Sequence, residues 1–93
     1  MTIIQVTTAP SREQYEQVVK AVDLSDRPAG LILHAAAELP TGEVQIVDLY
    51  ESMEAAVAFR DDRLFPAFKE VGVLEMVQAS PQPAPLEIFD IVR

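Results

Sequence analysis

The stretch Gly30–Glu70, GLILHAAAELPTGEVQIVDLYESMEAAVAFRDDRLFPAFKE, decides the fold. It reads as an apolar strand, a tight turn, a second strand and an amphipathic helix in unbroken succession. Leu31 to Glu38 and Glu43 to Glu51 flank Leu39, Pro40, Thr41 and Gly42, where proline presets a turn and glycine admits a positive φ. The pattern predicts a β-hairpin with Glu38 opposite Glu43, and therefore His34 opposite Val47 and Leu33 opposite Asp48. On that register Leu33, Asp48 and Tyr50 share one face, while His34, Val47 and Leu49 share the other. A bulge at Gly42 would shift the pairing by one residue and exchange the partners. Both faces are substantially apolar, which predicts helices over one and, most economically, a second subunit over the other.

Working outward, Ser52 is placed to cap a helix whose apolar face runs through Ala55, Ala56 and Phe59 and resumes at Leu64, Phe65 and Phe68. Pro66 would clash with the carbonyl of Asp62, so a kink or break is expected near Asp61 or Asp62, and Gly72 is expected to end the helix. Toward the N-terminus, Thr2 to Thr8 suits a half-buried strand. Ser11 and Gln14 open a capping box for a helix running to about Asp23, with Tyr15, Val18, Val19 and Val22 on one face. Leu24 to Gly30 has the punctuation of a loop. Toward the C-terminus, Val73 to Val77 reads as a short strand or an extended connector. Ser80 to Pro85 forms a stiff polyproline-like tether, and Leu86 to Arg93 the last strand.

Composition narrows the function. The 93 residues are of a size for one domain, and with 49% of them hydrophobic and no cysteine to form a staple, burial of a further apolar face in a homodimer would add stability. The missing cysteine excludes a thiol nucleophile and a disulfide framework and suits a reducing interior. Fifteen acidic residues against seven basic ones give a formal charge of −8, which repels a phosphate backbone and argues against a nucleic-acid partner. Leu31 to Ala37 is the longest uncharged apolar stretch and is far too short to span a membrane. Met1 to Thr8 lacks a signal-peptide pattern, so a cytoplasmic protein is expected. Phosphate loops, metal-ligand clusters and nucleophile motifs are absent, and no cofactor or metal is expected.

The order βαββαβ defines an α+β, ferredoxin-like arrangement, an antiparallel sheet with two helices on one face. Gly30–His34 (Gly-Leu-Ile-Leu-His), the hairpin, and Val47–Ser52 (Val-Asp-Leu-Tyr-Glu-Ser) leading into Ala56, Phe59, Arg63, Leu64 and Pro66 resemble small bacterial proteins of the dimeric α+β barrel class. Antibiotic-biosynthesis monooxygenase-like domains are its best-known relatives. The resemblance covers roughly residues 30 to 68. It implies a homodimer with sheets packed face to face and a small apolar pocket between each sheet and its helices. Members of the class include cofactor-independent oxygenases of aromatic polyketides, lactone isomerases and haem-binding enzymes. This chain departs from the oxygenases in having no tryptophan, and no catalytic residue is carried over.

Read from the residues themselves, the candidate acid–base groups are His34 and Asp48. His34, the only histidine, sits beside Ala35, Ala36 and Ala37, which leave an imidazole room to abstract a proton from an acidic aromatic or carbonyl substrate. Its structural alternative is a hydrogen bond across a subunit interface, and with no second histidine a metal role is poorer still. Asp48 interrupts an apolar face, where burial would make it an acid or base; alternatively it is held by Arg63 or a backbone donor. Tyr50 offers a phenol to orient a polar ligand group or simply packs in the core. Tyr15, Phe59 and Phe68 are candidates to line a pocket for a small apolar ligand, or core aromatics. Arg63 would clamp an anion at a pocket mouth only if it points inward, a capping role being the alternative.

Overall fold

The computed structural model describes residues 1–92. Strand-forming Ile3–Ala9 is β1, and Arg12–Val22 is helix α1. Leu31–Glu38 and Val44–Tyr50 are β2 and β3, and Met53–Phe59 is α2. After a π-helical turn, Arg60–Leu64, come α3 (Phe65–Val71), α4 (Leu74–Ala79) and β4 (Leu86–Glu87). The strands form one sheet in the order β2-β3-β1-β4, with every neighbouring pair antiparallel. β1 and β2 are therefore parallel and separated by β3, the split β-α-β arrangement of a ferredoxin-like fold.

Local chemistry sets the helix ends. Ser11 Oγ accepts from the Gln14 amide at 3.2 Å and Ser52 Oγ from the Ala55 amide at 3.1 Å, so each serine satisfies a donor that the first turn leaves free. Pro66 has no N–H for the Asp62 carbonyl. The helix widens there into a π turn, in which the Phe65 amide reaches back to the Arg60 carbonyl, and α3 begins with the proline in its first turn. Gly72 ends α3 at φ +88°. Gly30 is required for a second reason beyond its φ of +81°: a Cβ there would lie 2.5 Å from the Cβ of Ala55, at the point where β2 and α2 approach.

Side chains at Ile3, Leu31 and Tyr50 point to the sheet face that meets Val22, Ala56, Phe59 and Ala67 of the helices, and this layer is the core, with Ile3 only 1% exposed. The opposite face carries Ile4, Val6, Leu33, Ala35, Val47 and Leu49, by their alternation and pairing. It is apolar, and no element of the described chain lies over it.

The hairpin register differs from the expected one by a residue. Glu38 pairs with Val44, not Glu43, because the connection runs from Leu39 to Glu43 and is closed by Leu39 N to Glu43 O at 2.7 Å and Gly42 N to Leu39 O at 2.9 Å. His34 thus opposes Asp48 and Leu33 opposes Leu49. An irregularity between Leu31 and Leu33 absorbs the extra residue and returns Leu31 to Tyr50. Arg27 stabilises that bulge by donating to the carbonyls of Leu31 and Ile32 on the sheet's edge.

Two further expectations are corrected. The segment read as strand or connector is helix α4, since Leu74, Glu75, Met76, Gln78 and Ala79 are helix formers and the β-branched valines are a minority. The final strand is reduced from Leu86–Arg93 to Leu86–Glu87, Arg93 lying outside the described residues. β4 meets β1 at the latter's first residues, and Ile88 N donating to Thr2 O at 2.9 Å completes the pairing. On its other side, Pro83 and Pro85 lack donors. The β1 edge is served there by Gln82, whose side-chain amide accepts from Thr8 N at 3.1 Å and donates to Thr8 O at 3.3 Å.

Candidate functional site

β3 alternates, so Val44, Ile46, Asp48 and Tyr50 face the helices. Asp48 is the buried polar residue among these hydrophobic ones, 7% exposed. A carboxylate in that position must be hydrogen-bonded or paired. His34, its partner across the hairpin, places Nδ1 2.6 Å from Asp48 Oδ1. Tyr15 lies on the inner side of α1, one turn beyond the Ser11 cap, and its hydroxyl is 2.6 Å from His34 Nε2. An ionised carboxylate only accepts, so Nδ1 carries a proton, and when the ring is neutral Nε2 accepts the Tyr15 O–H. The two rings are parallel to within 5° with centroids 6.1 Å apart. With oxygen and nitrogen in contact between them, this is an in-plane hydrogen bond and not face-to-face stacking. Tyr15, His34 and Asp48 therefore form one continuous hydrogen-bonded chain.

This chain forms part of the wall of a cavity of about 310 Å³ between sheet and helices. Val18, Val22, Ile46, Phe59, Leu64 and Phe68 make the lining mostly apolar, and exposed Arg60, Gln78 and Gln82 contribute its rim. A small number of polar groups in an apolar hollow is the usual composition of a small-molecule site. Among the described residues, no group of three histidine, cysteine, aspartate or glutamate side chains is placed to hold a metal ion.

Of the residues singled out from sequence, His34, Asp48, Tyr15, Tyr50, Phe59 and Phe68 all lie in the cavity wall. The register shift is what unites them, since the expected pairing put His34 and Asp48 on opposite faces. Arg63 lies elsewhere. The π turn carries it to the C-terminal end of α1, where one guanidinium nitrogen donates to the carbonyls of Val22, Asp23 and Asp26 at 2.9, 3.0 and 2.9 Å. The Val22 and Asp23 carbonyls lie at the negative end of α1 and that of Asp26 in the loop just beyond it, a set of acceptors that attracts a cation more strongly than an apolar cavity does. Asp48 is accordingly held by His34 and not by Arg63. The arginine in the cavity wall is Arg60, with its guanidinium over the Phe65 ring at 5.6 Å. Sequence reasoning passed over Gln5 and Gln82. Gln5 was detectable, because β1 alternates and Gln5 pairs with Asp48; Gln82 had no local signal.

The fold and the cavity together define a ferredoxin-like α+β protein with a hollow between sheet and helices. Among solved structures, it is similar to a protein of Mycobacterium tuberculosis, with a TM-score of 0.70 at 15% identity over 100% of both chains. It is also similar to proteins provisionally named antibiotic biosynthesis monooxygenases. One, from Deinococcus radiodurans, gives a TM-score of 0.65 at 15% identity over 100% of this chain and 97% of that one. Another, from Chloroflexus aurantiacus, gives 0.62 at 11% identity over 100% and 96%. At such identities the likeness is one of fold. No protein-family model matches the chain, and no curated protein matches it significantly.

Both phenols in the wall are held protonated. Burial raises Tyr15 above its ordinary value near 10, with the charge of Asp48 adding to it; the same two causes, burial first, raise Tyr50 further. A folded-state pKa above the unfolded one means stability that is present below pH ~10 and lost as pH rises through the folded value. Alkaline titration followed by tyrosinate absorbance and far-ultraviolet dichroism checks this. Both tyrosines are expected to ionise later than free tyrosine, Tyr50 only as the fold is lost. A phenol ionising at pH ~10 or below in the folded chain would contradict the burial argument.

Proposed function

We propose that this chain is a homodimeric, cytoplasmic module that binds a small apolar or aromatic molecule between sheet and helices. The observation that carries the reading is the apolar cavity of about 310 Å³ whose wall contains the half-buried, continuously hydrogen-bonded Tyr15–His34–Asp48 chain. Apolar walls supply affinity and the phenols and imidazole supply orientation. Cytoplasmic placement is supported by the absence of cysteine from the sequence. Among the described residues, no helix is long and apolar enough to cross a membrane.

The pairing of His34 with Asp48 favours a second reading, a cofactor-independent oxygenase or isomerase acting on an aromatic or polyketide-like substrate. A carboxylate that fixes an imidazole's tautomer and stabilises its protonated form is the arrangement of a general base. The names of the structurally similar proteins from Deinococcus radiodurans and Chloroflexus aurantiacus point the same way. Tyr50 would orient the substrate in this reading.

Anthrone tests both. Equilibrium dialysis is expected to show one site per chain. Val18→Phe, which directs a ring into the cavity, should weaken binding by at least about tenfold, or ~1.4 kcal/mol, without altering far-ultraviolet dichroism. Binding unaffected by Val18→Phe would place the ligand elsewhere. Oxygen uptake on adding anthrone, exceeding that of a His34→Ala, Asp48→Asn double variant, favours the oxygenase; uptake equal to the double variant leaves the binding module.

The second subunit is supported by the open face of the sheet, where Leu33 is 45% and Leu86 64% exposed among Val47, Leu49 and Ala35. Apolar surface of this continuity on a small protein marks an interface, and a second copy presents a complementary face by symmetry. Sedimentation velocity at micromolar concentration should give a dimer for the natural chain and a folded monomer for Leu33→Glu. A monomeric natural chain would remove the proposal.

A further inference from the structure

His34 has no free ring nitrogen to offer a molecule in the cavity. Nδ1 is 2.6 Å from Asp48 Oδ1 and Nε2 is 2.6 Å from the Tyr15 hydroxyl. Asp48 is buried behind the ring. The phenol is the outer end of the chain, and its oxygen keeps lone pairs available after its proton is committed to Nε2. Resting on the ligand-binding reading above, we infer that the cavity takes a weakly acidic hydroxyl compound, a phenol or an enol, in its neutral form, and that Tyr15 is the group that receives its proton.

The step is a double proton transfer. The ligand O–H donates to Tyr15 Oη and breaks, while the Tyr15 O–H breaks and its proton joins His34 Nε2. The ligand is left as a phenolate or enolate, Tyr15 is again a neutral phenol, and the imidazolium sits between Tyr15 and Asp48. No electron pair leaves the system and no oxidant is needed. A neutral ligand and a neutral imidazole have become an anion and a cation.

Charge determines that the ligand arrives neutral. The titratable groups of the wall are Tyr15, His34, Asp48, Tyr50 and Arg60, and among these described residues Arg60 is the one permanent cation. It is exposed, and its Nε is 2.9 Å from Asp61. An anion approaching a chain of formal charge −8 is repelled and finds little in the cavity to offset that cost. A neutral acid is not repelled, and it acquires charge only where an imidazolium forms one phenol away, inside apolar walls that strengthen their attraction. Tyr15 thus has a role distinct from that of an apolar pocket aromatic: it couples the ligand to the His34–Asp48 pair.

The test uses 4-nitrophenol, whose phenolate has a visible absorbance band, and 4-nitroanisole, its methyl ether, which has no acidic proton. The natural chain should bind both and lower the apparent pKa of 4-nitrophenol by about one unit, roughly a tenfold change in its ionisation ratio. Tyr15→Phe and His34→Gln should each lose that shift yet still bind 4-nitroanisole, which separates a broken relay from a lost fold. 4-Nitrophenol bound by the natural chain with its pKa unchanged, or a shift that survives in Tyr15→Phe, overturns the inference and leaves ligand binding standing. Failure of the natural chain to bind either probe overturns both.

Discussion

A carboxylate on the inner face of a buried strand is the constraint around which this protein is arranged. Unpaired, Asp48 would cost several kcal/mol in desolvation, more than most single contacts in a domain this small return. His34 across the hairpin meets that demand, and Tyr15 in turn occupies the nitrogen that His34 leaves over. Two backbone irregularities serve this pairing. The turn from Leu39 to Glu43 brings His34 level with Asp48, and the bulge at Ile32 restores the apolar pair Leu31 and Tyr50. Between them the strand slips by one residue; outside them the core is packed as an uninterrupted sheet would pack it.

The two sheet faces then divide the work. The inner face is not filled to the density of an ordinary core, and the remaining space is the cavity, framed by α1, the π turn and the strap that follows α4. The π turn has a part in both stability and site. It moves Arg63 out to the carbonyls at and just beyond the end of α1 and leaves Leu64 and Phe65 in the cavity wall. Along the strap, prolines that cannot donate run beside β1, and the amide of Gln82 takes the place of a missing strand. The outer face, by contrast, is apolar and continuous.

Much of this was legible in the residues. Ser11, Ser52 and Gly72 marked helix ends, Pro66 marked the break, and the hairpin followed from Leu39-Pro40-Thr41-Gly42, because each of these depends on local chemistry. His34, Asp48 and Tyr50 were visible as polar interruptions of apolar strands. Their meeting was not, since a single residue added to a turn moves every side chain of a strand to the other face, and turn sequence alone does not decide between four residues and five. Of the two roles left open for Arg63, the capping one is realised, but on the end of α1, a partner remote in sequence and brought near by a π turn. α4 and the shortness of β4 were missed for related reasons: valines suggested strand where the neighbouring residues favoured helix, and the extent of β4 depended on where it meets β1.

The pairing of His34 Nδ1–H with Asp48 is the claim on which the site, the register and the proposed chemistry all rest. Because the chain has one histidine, its imidazole tautomer can be read without assignment from long-range nitrogen–proton correlations at neutral pH. The structure predicts a ring with a proton on Nδ1, held by Asp48, and with Nε2 hydrogen-bonded to Tyr15. A ring protonated on Nε2 alone, the form an unconstrained imidazole prefers, would contradict the account at its centre.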